Sequence, residues 1–213
     1  MPLLNLPNEL IESIITLLWE EADLNAVVCT NKELYSMFNS YLYSHNIRRC
    51  ELYELPYSRY ALVWIAQNEG LLAAFEMALD AKKQSSSEAA MHLGQKAFEQ
   101  AVFNGRADLI KLLLSQDDCS GVHPNSVNEA VIRGHKEVVR VLVTSGVFDL
   151  NWPGRYQRTP LFQAICHGHV EIVRILVAAV NINQQMWIAA LTKAAENRDH
   201  EIVQLLLVAK AAK

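Results

Sequence analysis

Cys166, His167 and His169 put thiol and imidazole side chains close together, and His123, His135 and His200 supply further imidazoles. Zinc chemistry would need such ligands to converge on one point. Instead, His135, His169 and His200 recur at the same place in three repeating segments, which is how a turn-capping or packing residue behaves. Cys166 falls on the apolar side of a short helix. These residues therefore read as structural, with no metal and no cofactor expected. Glu137, Glu171 and Glu201 repeat at equivalent outer-helix positions and read as a solvated face. The chain carries no Gly-x-Ser-x-Gly, no His-Glu-x-x-His and no phosphate-cradling glycine loop. Binding, not catalysis, is the expected class of function.

The whole chain agrees with that direction. Its 213 residues are 51% apolar, enough for a sizeable core, and carry a net charge of −4 with a pI near 6.0. That balance provides no general electrostatic reason to expect nucleic acid or an anionic membrane. The four cysteines, Cys29, Cys50, Cys119 and Cys166, have no Cys-x-x-Cys spacing, and the first residues show neither the basic flank nor the small-residue cleavage site of a secretory signal. Reduced thiols in cytoplasm or nucleus are expected. Apolar runs such as 172–180 are interrupted by Arg174 and fall short of the ~20 residues that cross a bilayer.

Five segments share one pattern: a short apolar helix, a turn marked mostly by Gly, and a second helix rich in Leu, Val and Ile. The turns are Asn68-Glu69-Gly70, Asn104-Gly105-Arg106, Arg133-Gly134-His135, His167-Gly168-His169 and Arg198-Asp199-His200. The second helices follow over 71–79, 109–114, 138–143, 172–177 and 202–207. Gly ends the first helix because a left-handed residue redirects the chain there without a Cβ clash. Thr159 caps a helix through its hydroxyl, and Pro160 takes the first helical position, where its missing N–H costs nothing. Helices this short are marginal alone and must stack on neighbouring pairs. Residues 80–90, with Ser85-Ser86-Ser87, break the spacing and read as an extended loop.

The motif resembles the ankyrin-repeat family. Thr159-Pro160-Leu161-Phe162, Ala164, Gly168-His169, Ile172-Val173 and Ile175-Leu176-Val177 make the best copy. The preceding copy keeps Ala130, Gly134-His135, Val138-Val139, Val141-Leu142-Val143, Gly146 and Asn151. Phe162 stands where the family has His, and Asp199 where it has the turn Gly. The resemblance implies an all-α helical solenoid over 57–213, with repeats near 57–90, 91–122, 123–156, 157–183 and 184–213. Lys193, Glu196, Lys210 and Lys213 would solvate the terminal repeat.

Residues 1–50 follow another pattern. Leu6-Pro7-Asn8-Glu9-Leu10 opens a helix running through Ile14, Ile15 and Leu18; a second stretch runs from Asp23 through Leu24, Val27, Val28 and Leu34; a third covers 35–47. So short a three-helix bundle needs a partner or an adjoining domain for stability. It resembles an F-box, departing from it at Thr30-Asn31-Lys32. That resemblance implies docking of residues 3–49 on the Skp-type subunit of a cullin–RING ubiquitin ligase, with Leu6, Pro7, Leu10, Ile14 and Leu24 at the docking positions. The alternative is that these residues pack onto the first repeat.

In a repeat solenoid the inter-repeat loops and first helices form a concave surface that takes an unknown protein substrate. The most informative loop, 146–158, carries Trp152, Arg155, Tyr156 and Arg158 around Pro153-Gly154, residue types enriched at binding hot spots. They either grip an acidic or aromatic-bearing protein segment, or Trp152 folds back over the repeat junction. Three functions remain open: a substrate adaptor of a ubiquitin ligase, an ankyrin scaffold whose N-terminal helices are only a cap, and a small-molecule enzyme in the repeat groove. The last requires a deep enclosed pocket with clustered His, Tyr or Arg.

Overall fold

The computed structural model describes residues 43–44, 46–47, 63, 66, 72–84, 88–115, 123, 125–152, 154, 158–179 and 184–211. The chain divides into two compact units, Met1–Ala97 and Phe98–Lys213. Among the described residues every regular element is a helix.

In the first unit, Tyr43, Asn46 and Ile47 are helical and buried, within the stretch expected to form the third N-terminal helix. The five docking positions Leu6, Pro7, Leu10, Ile14 and Leu24 lie outside the described residues, as does the Asn68-Glu69-Gly70 turn. Helix α1, Leu72–Gln84, buries Phe75, Ala78 and Leu79, and α2, Glu88–Phe103, buries Leu93 and Ala97 on its N-terminal side. The extended loop expected over 80–90 is therefore corrected: helix persists through Gln84 and resumes at Glu88. Lys82, Lys83 and Gln84 are good helix formers, and the two lysines in the last turn oppose the negative carbonyl end. Lys83 Nζ also lies 3.5 Å from Asp80 Oδ1 one turn back. The serine triplet 85–87 itself lies outside the described residues.

In the second unit, helix pairs follow one another: α3 Ala107–Ser115, α4 Asn125–Ile132, α5 Lys136–Ser145, α6 Pro160–Cys166, α7 Val170–Ala179, α8 Gln184–Glu196 and α9 His200–Ala211. First helices α4, α6 and α8 pack side by side; second helices α3, α5, α7 and α9 form another row; α4/α5, α6/α7 and α8/α9 pack as pairs. This stacking explains the apolar patterning. Val138, Val139 and Leu142 on α5, and Ile172, Val173, Leu176 and Val177 on α7, are buried because each helix has neighbours on several sides. Each such side chain contributes about 1.5–3 kcal/mol on burial. Ala101, Ala130, Ala164 and Ala194 are all completely buried at one register position, where a small side chain lets the helices close together.

The turns have the expected geometry. Gly105, Gly134 and Gly168 have φ of 73°, 73° and 66°. The following N–H, of Arg106, His135 and His169, returns to the carbonyls of Ala101, Ala130 and Ala164 at 2.8, 3.0 and 3.0 Å. In the last turn the same bond runs from Asp199 to Ala194 at 3.1 Å, and the left-handed residue is Arg198, with φ 58°. The register read from sequence is thus corrected by one residue: Arg198 replaces the turn Gly, and Asp199, not His200, stands where His135 and His169 stand. His200 is the first residue of α9. Asp199 caps that helix instead, its Oδ1 accepting the Ile202 N–H at 3.1 Å.

Thr159 behaves as its sequence suggests, with extended backbone, its hydroxyl accepting the Phe162 N–H at 3.4 Å and Pro160 at the first helical position. Glu137 and Glu171 are exposed and pair with Arg140 and Arg174 at 3.5 and 3.6 Å, a solvated face of small energetic weight. On the last pair, Lys210 is exposed and Lys193 reaches Glu196 at 3.1 Å, yet Ile188, Leu207 and Val208 are exposed too.

Candidate functional site

The 146–158 loop begins where Gly146, in the left-handed region at φ 67°, ends α5. Asp149 then shapes the chain: its Oδ1 accepts the Asn151 N–H at 2.9 Å and its carbonyl accepts the Trp152 N–H at 3.1 Å. The Gly154 N–H donates to the Arg158 carbonyl at 3.1 Å. Trp152 is left 39% exposed, neither free in solvent nor folded into the core.

Opposite Trp152 stands His123, just ahead of α4. Its Nδ1 accepts the Asn125 N–H at 3.0 Å and its carbonyl accepts the Ser126 N–H at 3.0 Å, satisfying two donors at the helix start. The two rings meet edge to face, centroids 6.4 Å apart at 85°. Between the loop and the first helices opens a pocket of about 560 Å³, lined by Glu99 and Val102 of α2, Asn125, Ser126 and Glu129 of α4, His123, Trp152 and Gly154.

Gly154 is required by contact, not by φ. A Cβ there would run into the Asn128 amide nitrogen and come within 2.9 Å of Asn125 Oδ1 and 3.1 Å of Asn128 Cγ. The loop thus lies directly on two α4 amides. Asn128 is 2% exposed, and neither atom of its carboxamide has a hydrogen-bond partner. Beside it, one oxygen of Glu129 accepts from Arg133 Nε at 2.6 Å, and the Arg133 guanidinium lies 3.2 Å from the centroid of the Phe103 ring.

Of the four loop residues singled out in the sequence, Trp152 lines this pocket. Arg158 lies over Phe162, its guanidinium carbon 5.7 Å from the ring centroid. Arg155 and Tyr156 lie outside the described residues. In the sequence His123 stands out only among the imidazoles a metal could recruit and Gly154 only as part of the loop's turn, while Glu99, Asn125, Ser126 and Glu129 carry no motif. The repeat register held one clue, since Glu99 and Asn128 occupy the same repeat position as Phe162, counted from Ala101, Ala130 and Ala164.

The histidines near Cys166 are occupied structurally. His169 Nε2 sits 3.4 Å from the Ile132 carbonyl, and its ring stacks on His167 with centroids 5.8 Å apart. His135 Nε2 sits 3.0 Å from the Phe103 carbonyl. Among the described residues no three His, Cys, Asp or Glu side chains gather as a metal would require, and no helix is long and apolar enough to cross a membrane.

Stacked helix pairs, left-handed turn glycines and histidines bridging successive turns are now all in place. Residues 98–186 match the family model for ankyrin repeats, in three copies. The α8/α9 pair reaches beyond that match and repeats its turn geometry with Arg198 in place of Gly. None of the curated proteins matches the chain. Ankyrin repeats mark a protein-interaction scaffold, and the pocket beside Trp152 lies on the loop and first-helix side of that scaffold.

Proposed function

We propose that this chain is an adaptor that captures a partner protein on its repeat array and acts as the substrate-recognition subunit of a Skp–cullin–F-box type ubiquitin ligase. The observation carrying the first half is the pocket between α2, α4 and the 146–158 loop. It combines a partly exposed Trp152 with polar side chains on a rigid helical frame, the makeup of a hot spot. Trp152 and Arg158, with Arg155 and Tyr156 from the same loop, are the partner-contacting residues of this reading.

The second half is supported by Leu6-Pro7-x-Glu9-Leu10, Ile14 and Leu24, apolar anchors at helical spacing suited to burial against an apolar groove. Full-length protein co-expressed with a Skp-type subunit should co-purify with it, and Pro7→Ala with Leu10→Ala should abolish this. Failure of the unmodified chain to co-purify would remove the ligase role and leave an ankyrin scaffold. Cytoplasm or nucleus is the proposed location, since the four cysteines lack the spacing of a metal or redox motif.

A further inference from the structure

Asn104-Gly105 is the one Asn-Gly pair in the chain. In such a pair the glycine nitrogen, with no Cβ beside it to shield it, can attack the asparagine carboxamide. We infer that this turn is a deamidation site, and that the His135 imidazole of the following repeat holds it shut until the turn opens. The site is separate from partner capture and does not depend on it.

The only co-reactant is water. The Gly105 nitrogen gives up its proton and bonds to Asn104 Cγ, the Cγ–Nδ2 bond breaks, and ammonia leaves with that proton. A five-membered imide results. Water then adds to either of its carbonyls and opens the ring, leaving aspartate at position 104, or isoaspartate, whose main chain runs through the side-chain carbon. Nothing is oxidised or reduced: ammonia is lost and water is taken up.

The closed turn opposes this reaction at three points. Asn104 is exposed, but its Nδ2 donates to the Gln100 carbonyl at 2.8 Å, so the carboxamide points back along α2 and away from Gly105. The Gly105 N–H donates to the Val102 carbonyl at 3.3 Å, flanked by Asn104 N–H to Gln100 at 3.0 Å and Arg106 N–H to Ala101 at 2.8 Å. The attacking nitrogen is thus occupied. Finally, His135 Nε2 lies 3.0 Å from the Phe103 carbonyl, and a Cβ on Gly105 would lie 2.8 Å from its Nδ1. The ring therefore spans the chain on both sides of Asn104, and Gly105 cannot turn toward the carboxamide unless the ring lifts.

Asn197 stands at the same repeat position, but Arg198 follows it and its Nδ2 is held by the Ile165 carbonyl at 2.9 Å, so it serves as an internal control. At position 104, isoaspartate adds one main-chain carbon ahead of Gly105 and takes the Arg106 N–H out of register with Ala101. The opening then becomes permanent. Phe103, 44% exposed and carrying the Arg133 guanidinium on its ring, is the next residue to be displaced.

The test is peptide mass mapping of the full-length protein during incubation at neutral pH. Deamidation at position 104 should run at least about tenfold slower than in the free 99–110 peptide, because attack waits for local opening. His135→Ala should speed it about fivefold, the worth of one hydrogen bond. Thr159→Ala, which weakens α6 to a similar degree, should leave the rate within about twofold of the wild type. Asn104→Gln should abolish the mass change, and Asn197 should stay intact throughout. A native rate equal to that of the peptide, no acceleration in His135→Ala, or equal acceleration by Thr159→Ala would overturn the inference.

Discussion

The His135 imidazole closes over Gly105, the turn residue of the preceding repeat. Its Nε2 lies 3.0 Å from the neighbouring Phe103 carbonyl, and a Cβ at position 105 would lie 2.8 Å from its Nδ1. His169 repeats the arrangement over Gly134, with a Cβ there 3.0 Å from its Cε1. Gly168 has no such cover, because the next repeat presents Asp199 where a histidine would be.

These three glycines share the left-handed conformation but not the overlying ring, which separates two costs. Gly168→Ala should lose about 1 kcal/mol from backbone strain alone. Gly105→Ala and Gly134→Ala should lose more, because the imidazole must also move. Combining Gly105→Ala with His135→Ala should recover the extra loss in a double-mutant cycle by denaturant unfolding. Equal costs at all three positions would refute the ring contact as the cause.

Arg198 is the non-glycine residue described at positive φ, at 58°. Its replacement by glycine should raise stability by about 0.5–1 kcal/mol, the strain relieved less the added flexibility of the unfolded chain. A chain of this size should then melt roughly 2 °C higher. A lowered melting temperature would show that the Arg198 side chain contributes more than its backbone costs.

Asn197 replaces the histidine bridge in the last turn. Its Nδ2 donates to the Ile165 carbonyl at 2.9 Å, across successive repeats. Asn197→Ala should cost about 1 kcal/mol and speed amide exchange in α8 and α9 more than in α4 and α5. Uniform acceleration throughout the unit would contradict a local role.

Asp108 connects the first turn to pH. Burial by itself would raise its pKa, but the Arg106 guanidinium, donating from Nε at 3.2 Å and from Nη2 at 3.1 Å, and the Leu109 backbone N–H hold the carboxyl below its usual value of 3.8. A depressed folded pKa means the contribution is present above 3.8 and disappears as pH falls through the folded value. Arg106→Gln should therefore flatten the acid limb of the stability curve, and the Asp108 carboxyl carbon should titrate at higher pH by NMR. An unchanged titration would exclude Arg106 as the cause.

Thr159→Ala tests the cap at the start of α6. Losing the hydroxyl that accepts from Phe162 should cost about 1 kcal/mol. Thr159→Ser should restore most of that stability, and failure to do so would assign the effect to the methyl group.

Much of the repeat fold could be read in advance because its rules are local. A glycine after a short apolar helix marks the left-handed turn at Gly105, Gly134 and Gly168. Thr159-Pro160 marks the start of α6, and Val138-Val139 and Ile172-Val173 mark buried second-helix faces. The last turn reads one residue too late in the sequence because neither Arg198 nor Asp199 announces a left-handed conformation, and only the bond from the Asp199 N–H to the Ala194 carbonyl reveals the register. Residues 80–84 read as loop because serines follow, yet their own side chains favour helix. Of the residues lining the pocket, Trp152 is the one the loop's composition marks in the sequence as a partner contact.

Short amphipathic helices and glycine turns at a solenoid period are legible in the sequence because each is fixed by a few neighbouring residues. The pocket, by contrast, exists only in the packed molecule. Glu99, His123, Glu129 and Trp152 come from separate elements and meet because stacked repeats bring equivalent positions alongside one another. That juxtaposition depends on register and loop path, which short-range patterns do not encode. The same geometry puts Glu99 and Glu129 in the lining of the pocket that Trp152 also lines, although the loop itself carries Arg155 and Arg158.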